Sequence, residues 1–357
     1  MVIHLSIMFF TGKVERKVGM CIKQDLYRMK SFMKGLSANA EDMVRKLQLP
    51  CLYPNCSEMP VGCHSQQCNG TLSTIANDDG MVIVPSKDAK GSISRILDEI
   101  DLPRGFYFEH ISRATIFNGF CKKHDNDLFA PIEKVPLVVD NVDQVIAFHR
   151  RVVAVEVRNS FELIGYFKIT KYMLEQRGLS SKNVEEEIHC AKERLRSIVS
   201  YEWNPLWRDN SQDVFHHVWR VLPYKIPVSL ASSITPDFND YLYTIYGQTL
   251  SAFGCDAIPR LGFTLTIVPR ENKTHIIMIW NRFLDPVVRT YSDRLMSPDK
   301  SKVETFLNEC IFCLSEDWCM SPEYWESLPQ TVKNELRHIL SMGRSEQVKS
   351  IPHIITL

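Results

Sequence analysis

The chain has 357 residues, of which 45% are hydrophobic and 24% are charged; this is the composition of a globular protein, longer than one average domain, and it excludes a disordered or fibrous one. Lys+Arg and Asp+Glu number 42 each, so no global field favours nucleic acid or an anionic membrane. Any site for a polyanion must be a local patch.

The first 49 residues are predicted to be an N-terminal extension with basic amphipathic helices. Residues 1–10 are apolar, but the positive charges follow this run instead of preceding it, which argues against a signal peptide. Over residues 20–48, apolar side chains recur at helical spacing with Lys and Arg between them, which predicts one or two helices. Their basic face is more typical of a solvated surface than of a nucleic-acid contact.

The cysteine content and the hydropathy pattern indicate a compartment. The chain has 11 cysteines, and five of them fall within residues 51–121. Clustered cysteines without a secretory signal are more typical of metal ligands in a reducing, cytoplasmic setting than of disulfides. No segment reaches the roughly 18 uninterrupted apolar residues that a membrane span needs, so we expect a soluble protein without a membrane partner.

Residues 50–135 contain two short turns that each offer a pair of metal ligands. Cys51 and Cys56 are separated by four residues, and Cys121 and His124 by two. Tetrahedral Zn²⁺ takes Cys thiolates and His nitrogens, and tight turns supply them in pairs because two ligands of one ion lie about 3.5–4 Å apart. The sequence therefore predicts one structural Zn²⁺ held by these four residues. Three neighbours compete for a place in this set: Cys63, His64 and Cys68.

The elements around these turns follow a recognisable order. Residues 71–76 are predicted to form a short helix and residues 80–84 a strand, and a helix that begins at Cys121 is expected to stop near Pro131. Knuckle, strands, knuckle, helix is the order of a treble-clef zinc fold.

The segment Cys51-Leu-Tyr-Pro-Asn-Cys56, followed by Cys63-His64 and by Gly119-Phe-Cys-Lys-Lys-His-Asp-Asn-Asp-Leu-Phe129-Ala-Pro-Ile-Glu133, resembles the N-terminal module of a group of uncharacterised bacterial proteins. That module is similar to the treble-clef zinc domain of HNH-type endonucleases. The resemblance covers about residues 50–135 and implies this fold together with nucleic-acid contact.

Nuclease chemistry would need a base and a second metal site in this module. In nucleases with a ββα-metal site, a histidine between two zinc knuckles activates water, while a carboxylate or amide helps to hold a divalent ion. His64 is placed to be that base, and Asp125 or Asn126 is placed to hold Mg²⁺ or Mn²⁺. A structural role for His64, as a zinc ligand or hydrogen bonded in the turn, is an equally good interpretation.

The rest of the chain is predicted to be α+β. Two helices, at 141–174 and 185–198, are joined by a short loop and make a helical hairpin over 136–200. The segment 201–357 is expected to be an α+β domain with an antiparallel sheet. Its strands are predicted at 218–222, 226–231, 262–269 and 274–281, with a turn at 270–273, and its helices at 301–316 and 327–342.

Several conspicuous groups are assigned to structure instead of chemistry. Three cysteines in an apolar context, Cys310, Cys313 and Cys319, are expected to pack in the core. The His216-His217 pair points to opposite faces of a strand, so both cannot easily bind one ion. His149-Arg150-Arg151 is interpreted as a charged helix face, with phosphate contact as the lesser alternative.

The middle of the chain is rich in aromatic side chains with basic residues between them. Such a platform can stack nucleobases, but packing in a β core and its loops explains it better. The aromatic residues are Trp203, Trp207, Trp219, Tyr224, Tyr241, Tyr243 and Tyr246, and the basic ones are Arg208, Arg220 and Lys225.

Two functions from different classes are consistent with these features. The first is a zinc-containing, nucleic-acid-associated protein that acts as an HNH-like, metal-dependent nuclease in prokaryotic defence against phage or foreign DNA. The second is a non-catalytic, zinc-stabilised module that binds DNA, RNA or a protein partner. The chain lacks the phosphate-binding glycine loops and the Gly-x-Ser-x-Gly elbow, which disfavours nucleotide hydrolysis, dinucleotide redox chemistry and α/β-hydrolase chemistry.

Overall fold

A computed structural model gives the fold. It describes residues 35, 39–40, 42–44, 49–85, 105–235, 262–315, 317–341 and 353–357. Most of the predicted N-terminal helices lie outside these residues, as do Tyr241, Tyr243 and Tyr246.

The centre of the protein is an antiparallel sheet of seven strands, and a second, two-stranded sheet lies beside the candidate metal ligands. The large sheet has the order β3-β2-β9-β6-β7-β8-β5, and the small one pairs β1 with β4. The strands are β1 (Cys63–His64), β2 (Met81–Pro85), β3 (Phe106–His110), β4 (Ile116–Phe117), β5 (Phe215–Leu222), β6 (Val228–Ile234), β7 (Phe263–Arg270), β8 (Lys273–Asn281) and β9 (Trp318–Met320).

Helices cover both faces of the large sheet. The helices are α1 (Lys122–Glu133), α2 (Val142–Glu175), α3 (Lys182–Ile198), α4 (Asp285–Leu295), α5 (Lys300–Asn308), α6 (Pro322–Ser327) and α7 (Gln330–Ser341); of these, α3 packs on α2 and not on the sheet. Strands β6 to β8 are buried along most of their length. Their small polar side chains are also buried: Ser229 of β6 hydrogen bonds to Gln66, and Thr264 of β7 to His149.

Two large cores result, one on each face of the sheet. Ile276 and Met278 of β8 face the core formed with α4, α5 and α7. Ile277 and Ile279, which point the opposite way, face the core formed with α2. This second core also includes Cys51, Cys63, Cys121 and several residues of α1. The candidate metal ligands are therefore joined to the sheet through α2.

The α+β class, the antiparallel sheet and the long helix are confirmed. The β7–β8 hairpin turns where it was predicted to, with Glu271 at φ 55°. The helix predicted at 327–342 is present as α7 but begins three residues later, at Gln330, because Pro329 follows Leu328, whose ψ of 138° is extended. Helix α1 runs two residues past Pro131, and the strand predicted at 226–231 lies at Val228–Ile234.

The predicted domain boundaries cross this shared sheet and core. Strands β2 and β3 come from the segment 50–135, whereas the other five strands of the same sheet come from residues 201–357. Helix α2, from the segment 136–200, packs on strands β6 to β8. A single sheet and the core beneath it thus join all three segments.

The interpretation of His149-Arg150-Arg151 as a charged helix face is wrong. His149 and Arg151 are 1% and 3% exposed. His149 lies with Nδ1 2.8 Å from Thr264 Oγ1 and donates from Nε2 to Glu202 at 3.0 Å. Because α2 runs between the sheet and the segment that carries the metal ligands, there is no solvated face at this point.

The other groups assigned to structure lie as predicted. Cys310, Cys313 and Cys319 are buried in apolar cores. His216 Nδ1 lies 2.6 Å from Asp285, whereas His217 Nε2 lies 3.3 Å from Asp140, so the two rings have different partners.

Most described members of the aromatic and basic group are packed or used as structural donors, whereas Arg208 is exposed. Trp203 and Trp219 are buried, and Trp207 packs against the same core. Arg220 donates to the carbonyl groups of Leu295 and Ser297, and Lys225 donates to Thr74 O. These contacts leave no continuous stacking platform in the described part of this group.

Asn308 fastens the segment 353–357 to α5, and its loss should destabilise the protein. Its buried side chain accepts from the backbone N–H groups of Ile354 and Ile355 and donates to Ile355 O, at 2.8–2.9 Å. We expect Asn308→Ala to lower the free energy of unfolding by about 2–3 kcal/mol, because buried N–H groups lose their acceptor. Urea denaturation measures this change. Asn334→Ala, at an exposed position on α7, is the control and should change stability by less than about 0.5 kcal/mol.

Candidate metal centre

The first pair of candidate ligands sits on a closed turn. Cys51 N donates to Glu58 O at 2.9 Å, and Cys56 N donates to Tyr53 O at 3.0 Å. Asn55 has φ 63°, a left-handed conformation that Asn tolerates better than most residues. The turn brings the side chains of Cys51 and Cys56 to the same side.

The second pair sits at the start of α1. Cys121 is the N-cap residue of this helix, and His124 lies in its first turn, so the two side chains project from adjacent positions. Gly119 precedes them, and its backbone packs closely against Phe117. A Cβ atom at position 119 would lie 2.3 Å from the Phe117 ring. The same glycine receives a hydrogen bond on its carbonyl from Leu52 N at 2.9 Å. The two ligand turns are therefore tied directly to each other.

The four predicted ligands converge. One ligand atom from each of Cys51, Cys56, Cys121 and His124 lies within 4.8 Å of all the others. His124 Nδ1 is 3.5 Å from Cys51 Sγ and 3.3 Å from Cys121 Sγ. Tetrahedral zinc with bonds of about 2.3 Å to sulfur and about 2.0 Å to nitrogen sets these atoms about 3.5 Å apart. The group can hold a metal ion such as zinc, with Nδ1 as the ligand atom of the histidine.

Backbone groups favour thiolates at this centre. Cys51 Sγ accepts from Tyr53 N at 3.4 Å and from Cys121 N at 3.3 Å. Hydrogen bonds from the backbone of the first turn of α1, above all from His124 N, lower the pKa of the Cys121 thiol. Burial opposes them at Cys51, where it raises the pKa of the thiol to about 11. A bound cation would have to displace this proton, since zinc takes the thiolate.

Aromatic packing fixes the histidine ligand. The Tyr53 ring stacks on the His124 ring, with centroids 3.8 Å apart and an interplanar angle of 7°. Trp207 packs edge-on against Tyr53 at 5.1 Å. The imidazole is therefore held in one orientation by a residue from the first turn and by the loop after α3.

The three competing ligands lie elsewhere. Among the described residues, the group just given is the only set of three or more that could hold a metal, and Cys63, His64 and Cys68 are not in it. The Cys63 thiol donates to the carbonyl groups of Val61 and Phe120, and burial raises its pKa to about 12.

The three candidate catalytic residues are only partly brought together. His64, on β1, and Asp125, on α1, are half-buried and interact electrostatically with each other and with Arg151. Asn126 is exposed and donates to Lys122 O at 2.8 Å, within its own helix. The structure thus places Asp125 beside His64, whereas Asn126 is occupied elsewhere.

Sequence reasoning did not assign three charged residues to the site: Glu133 and Arg151, which lie near His64 and Asp125, and Arg158, which lies at the ligand turns. Arg151 pairs with Glu133 and lies over the Phe129 ring at 4.1 Å. Arg158 reaches the backbone of both ligand turns. The signal was present, because both arginines lie seven residues apart among valines and alanines of the long helix, and charges on an apolar helical face are buried only with partners.

Comparisons with known proteins give no relative of this chain: no protein-family model, no curated protein and no solved structure matches it. Within the described ranges, none of the helices combines the length and the apolar character that a membrane crossing needs.

We expect purified protein to contain one zinc ion per chain, and Cys121→Ser to remove most of it, because the serine hydroxyl is a poor zinc ligand. Inductively coupled plasma mass spectrometry on protein of known concentration gives the stoichiometry. Cys68→Ser is the matched control, since Cys68 is half-buried but outside the group. Equal zinc content in Cys121→Ser and wild type would disprove the assignment.

Proposed function

We propose that this chain is a zinc-containing, nucleic-acid-associated protein that cleaves phosphodiester bonds with a divalent ion, with His64 as the general base. The observation that carries the proposal is the orientation of His64. Its Nδ1 lies 3.0 Å from Ala114 O. Because a carbonyl group only accepts, Nδ1 carries the proton and the lone pair of a neutral imidazole is on Nε2.

The surroundings of His64 suit a base at neutral pH. Burial lowers its pKa below the usual 6.5, and the positive charge of Arg151 acts in the same direction. A neutral imidazole can take a proton from water as the oxygen attacks phosphorus, and the bond from phosphorus to the leaving oxygen then breaks. The hydrogen bond to Ala114 aligns the ring for this transfer.

Asp125 is the better of the two proposed ligands for Mg²⁺ or Mn²⁺. Asp125 interacts electrostatically with Arg151, Glu133 and His64. Asn126 is instead hydrogen bonded to its own helix. Mg²⁺ commonly binds through one or two carboxylates and completes its shell with water and substrate phosphate. Asp125 therefore needs no preformed set of protein ligands around the ion. When bound, the ion would neutralise negative charge on the phosphate.

The zinc centre would have a structural role in this site. His64 lies on β1, which pairs with β4, and Asp125 lies on α1, which begins at Cys121. The two ligand turns flank these elements, so a metal that joins the turns also fixes β1 relative to α1. This arrangement supports the treble-clef fold implied by the resemblance to HNH-type modules.

A non-catalytic module that binds nucleic acid or a protein partner is the second proposal. One observation favours it: among the described residues, the Cys₃His centre is the only group of three or more potential metal ligands. Both proposals are compatible with the cytoplasmic setting and with prokaryotic defence, which stay predictions.

We expect His64→Ala to lower the rate of Mg²⁺- or Mn²⁺-dependent cleavage of DNA or RNA by about 10²–10⁴-fold, the usual contribution of a general base. Zinc content and melting temperature should stay close to those of the wild type. Asn126→Ala is the matched control and should cleave normally, whereas Asp125→Asn should require more divalent ion. Loss of zinc in His64→Ala would reassign the residue to structure, and a wild-type protein that binds but does not cleave would favour the second proposal.

The pH dependence of cleavage should report the lowered pKa of His64. Only the neutral imidazole accepts a proton, so the rate should rise with pH through this pKa and level off above it. Since burial places the pKa below 6.5, we expect half of the maximal single-turnover rate below pH 6.5. A midpoint above pH 7 would contradict the assignment of His64 as the base.

A further inference from the structure

Arg158 is a buried cation that touches both ligand turns. It lies in the middle of α2 and is 2% exposed. Its Nη2 donates to Pro50 O at 2.7 Å and lies 3.5 Å from Gly119 O. Pro50 directly precedes Cys51, and Gly119 is two residues before Cys121. One guanidinium group thus binds the backbone beside a ligand of each pair.

The hydrogen bonds of Arg158 do not fully offset the free-energy cost of burying its charge. Arg158 Nε has no hydrogen-bond partner among the described residues. An isolated buried charge costs several kcal/mol unless it is paired. Glu162, one turn further along α2, favours the charged form of Arg158, but burial raises the pKa of its own carboxyl group. A second source of negative charge is needed nearby.

The metal centre supplies that charge. Three thiolates and one neutral imidazole around Zn²⁺ leave a net charge of −1. Cys51, a ligand of this centre, is among the groups whose negative charge favours the charged form of Arg158. A centre with a net negative charge in an apolar core carries the same kind of burial cost as the arginine, and each offsets the cost of the other.

We propose that Arg158 is the positioning residue and the counter-charge of the metal centre, so that it sets the affinity for zinc and not only the stability of the fold. This inference rests on the zinc centre of the proposed function and is independent of phosphodiester cleavage. Outer-shell partners of this kind commonly change metal affinity by about 10–100-fold when they are removed.

The test compares zinc affinity in full-length variants by competition with a chromophoric chelator. Arg158→Met keeps much of the side-chain stem but removes the charge and both contacts, and we expect its zinc dissociation constant to rise about 10–100-fold. Arg158→Lys keeps the charge but not the planar fork and should give a smaller rise. Arg151→Met is the matched control, because it removes another buried arginine from α2 that does not contact the ligand turns; its dissociation constant should stay within about threefold of the wild-type value.

Co²⁺ absorption and the gain in melting temperature on zinc binding complete the experiment. We expect Arg158→Met to lower this gain and Arg151→Met to leave it unchanged, even where both lower the melting temperature of the apoprotein. Equal zinc affinity in Arg158→Met and Arg151→Met would overturn the inference. If Arg158→Met does not fold, wild-type affinity and a wild-type Co²⁺ spectrum in Arg158→Lys would overturn the positioning role. A wild-type chain that binds no zinc overturns the inference and the centre together, whereas one that binds zinc but cleaves nothing affects only the nuclease proposal.

Discussion

A helix that is buried along much of its length needs partners for the charged groups that it carries, and α2 finds them among its neighbours on several sides. The helix has 34 residues. His149 binds the sheet and the turn after α3, Arg151 binds α1, and Arg158 binds the two ligand turns. Because unpaired buried charges are costly, these contacts fix the direction from which each neighbour approaches. The position of the candidate metal ligands relative to the sheet follows from them.

The periodic parts of the fold could be predicted from the sequence. The β7–β8 hairpin has β-branched strands around a polar turn, and α2 has sustained apolar spacing, so local pattern alone identifies both. The membership of the large sheet could not be predicted in the same way. Strands β2 and β9 pair through only Ile83 and Met320, which are 237 residues apart in the chain, and no local pattern carries that contact. Which strands share the large sheet can therefore be seen only in the structure.

The candidate metal ligands could be predicted because the two ligands of each pair lie close together in the sequence. Cys-x4-Cys and Cys-x2-His each place two ligands on one turn, and the structure brings the two turns together. The charged neighbours were not predictable, since Arg158 acts on Pro50 and Gly119 through backbone carbonyl groups that any residue could supply. For the same reason, sequence alone could not decide between Asp125 and Asn126. Only the helix phase and the hydrogen bond to Lys122 O separate them.

The distance along the chain between the two ligand turns has a consequence for the unfolded state. Cys51 and Cys121 are 70 residues apart, and strands β2 and β3 lie between them. An ion that joins the two turns closes this long loop as a disulfide would, and a loop of this length corresponds to about 4 kcal/mol of chain entropy removed from the unfolded ensemble. A bound metal would thus stabilise the fold in part by restricting the unfolded chain over the segment that carries β2 and β3.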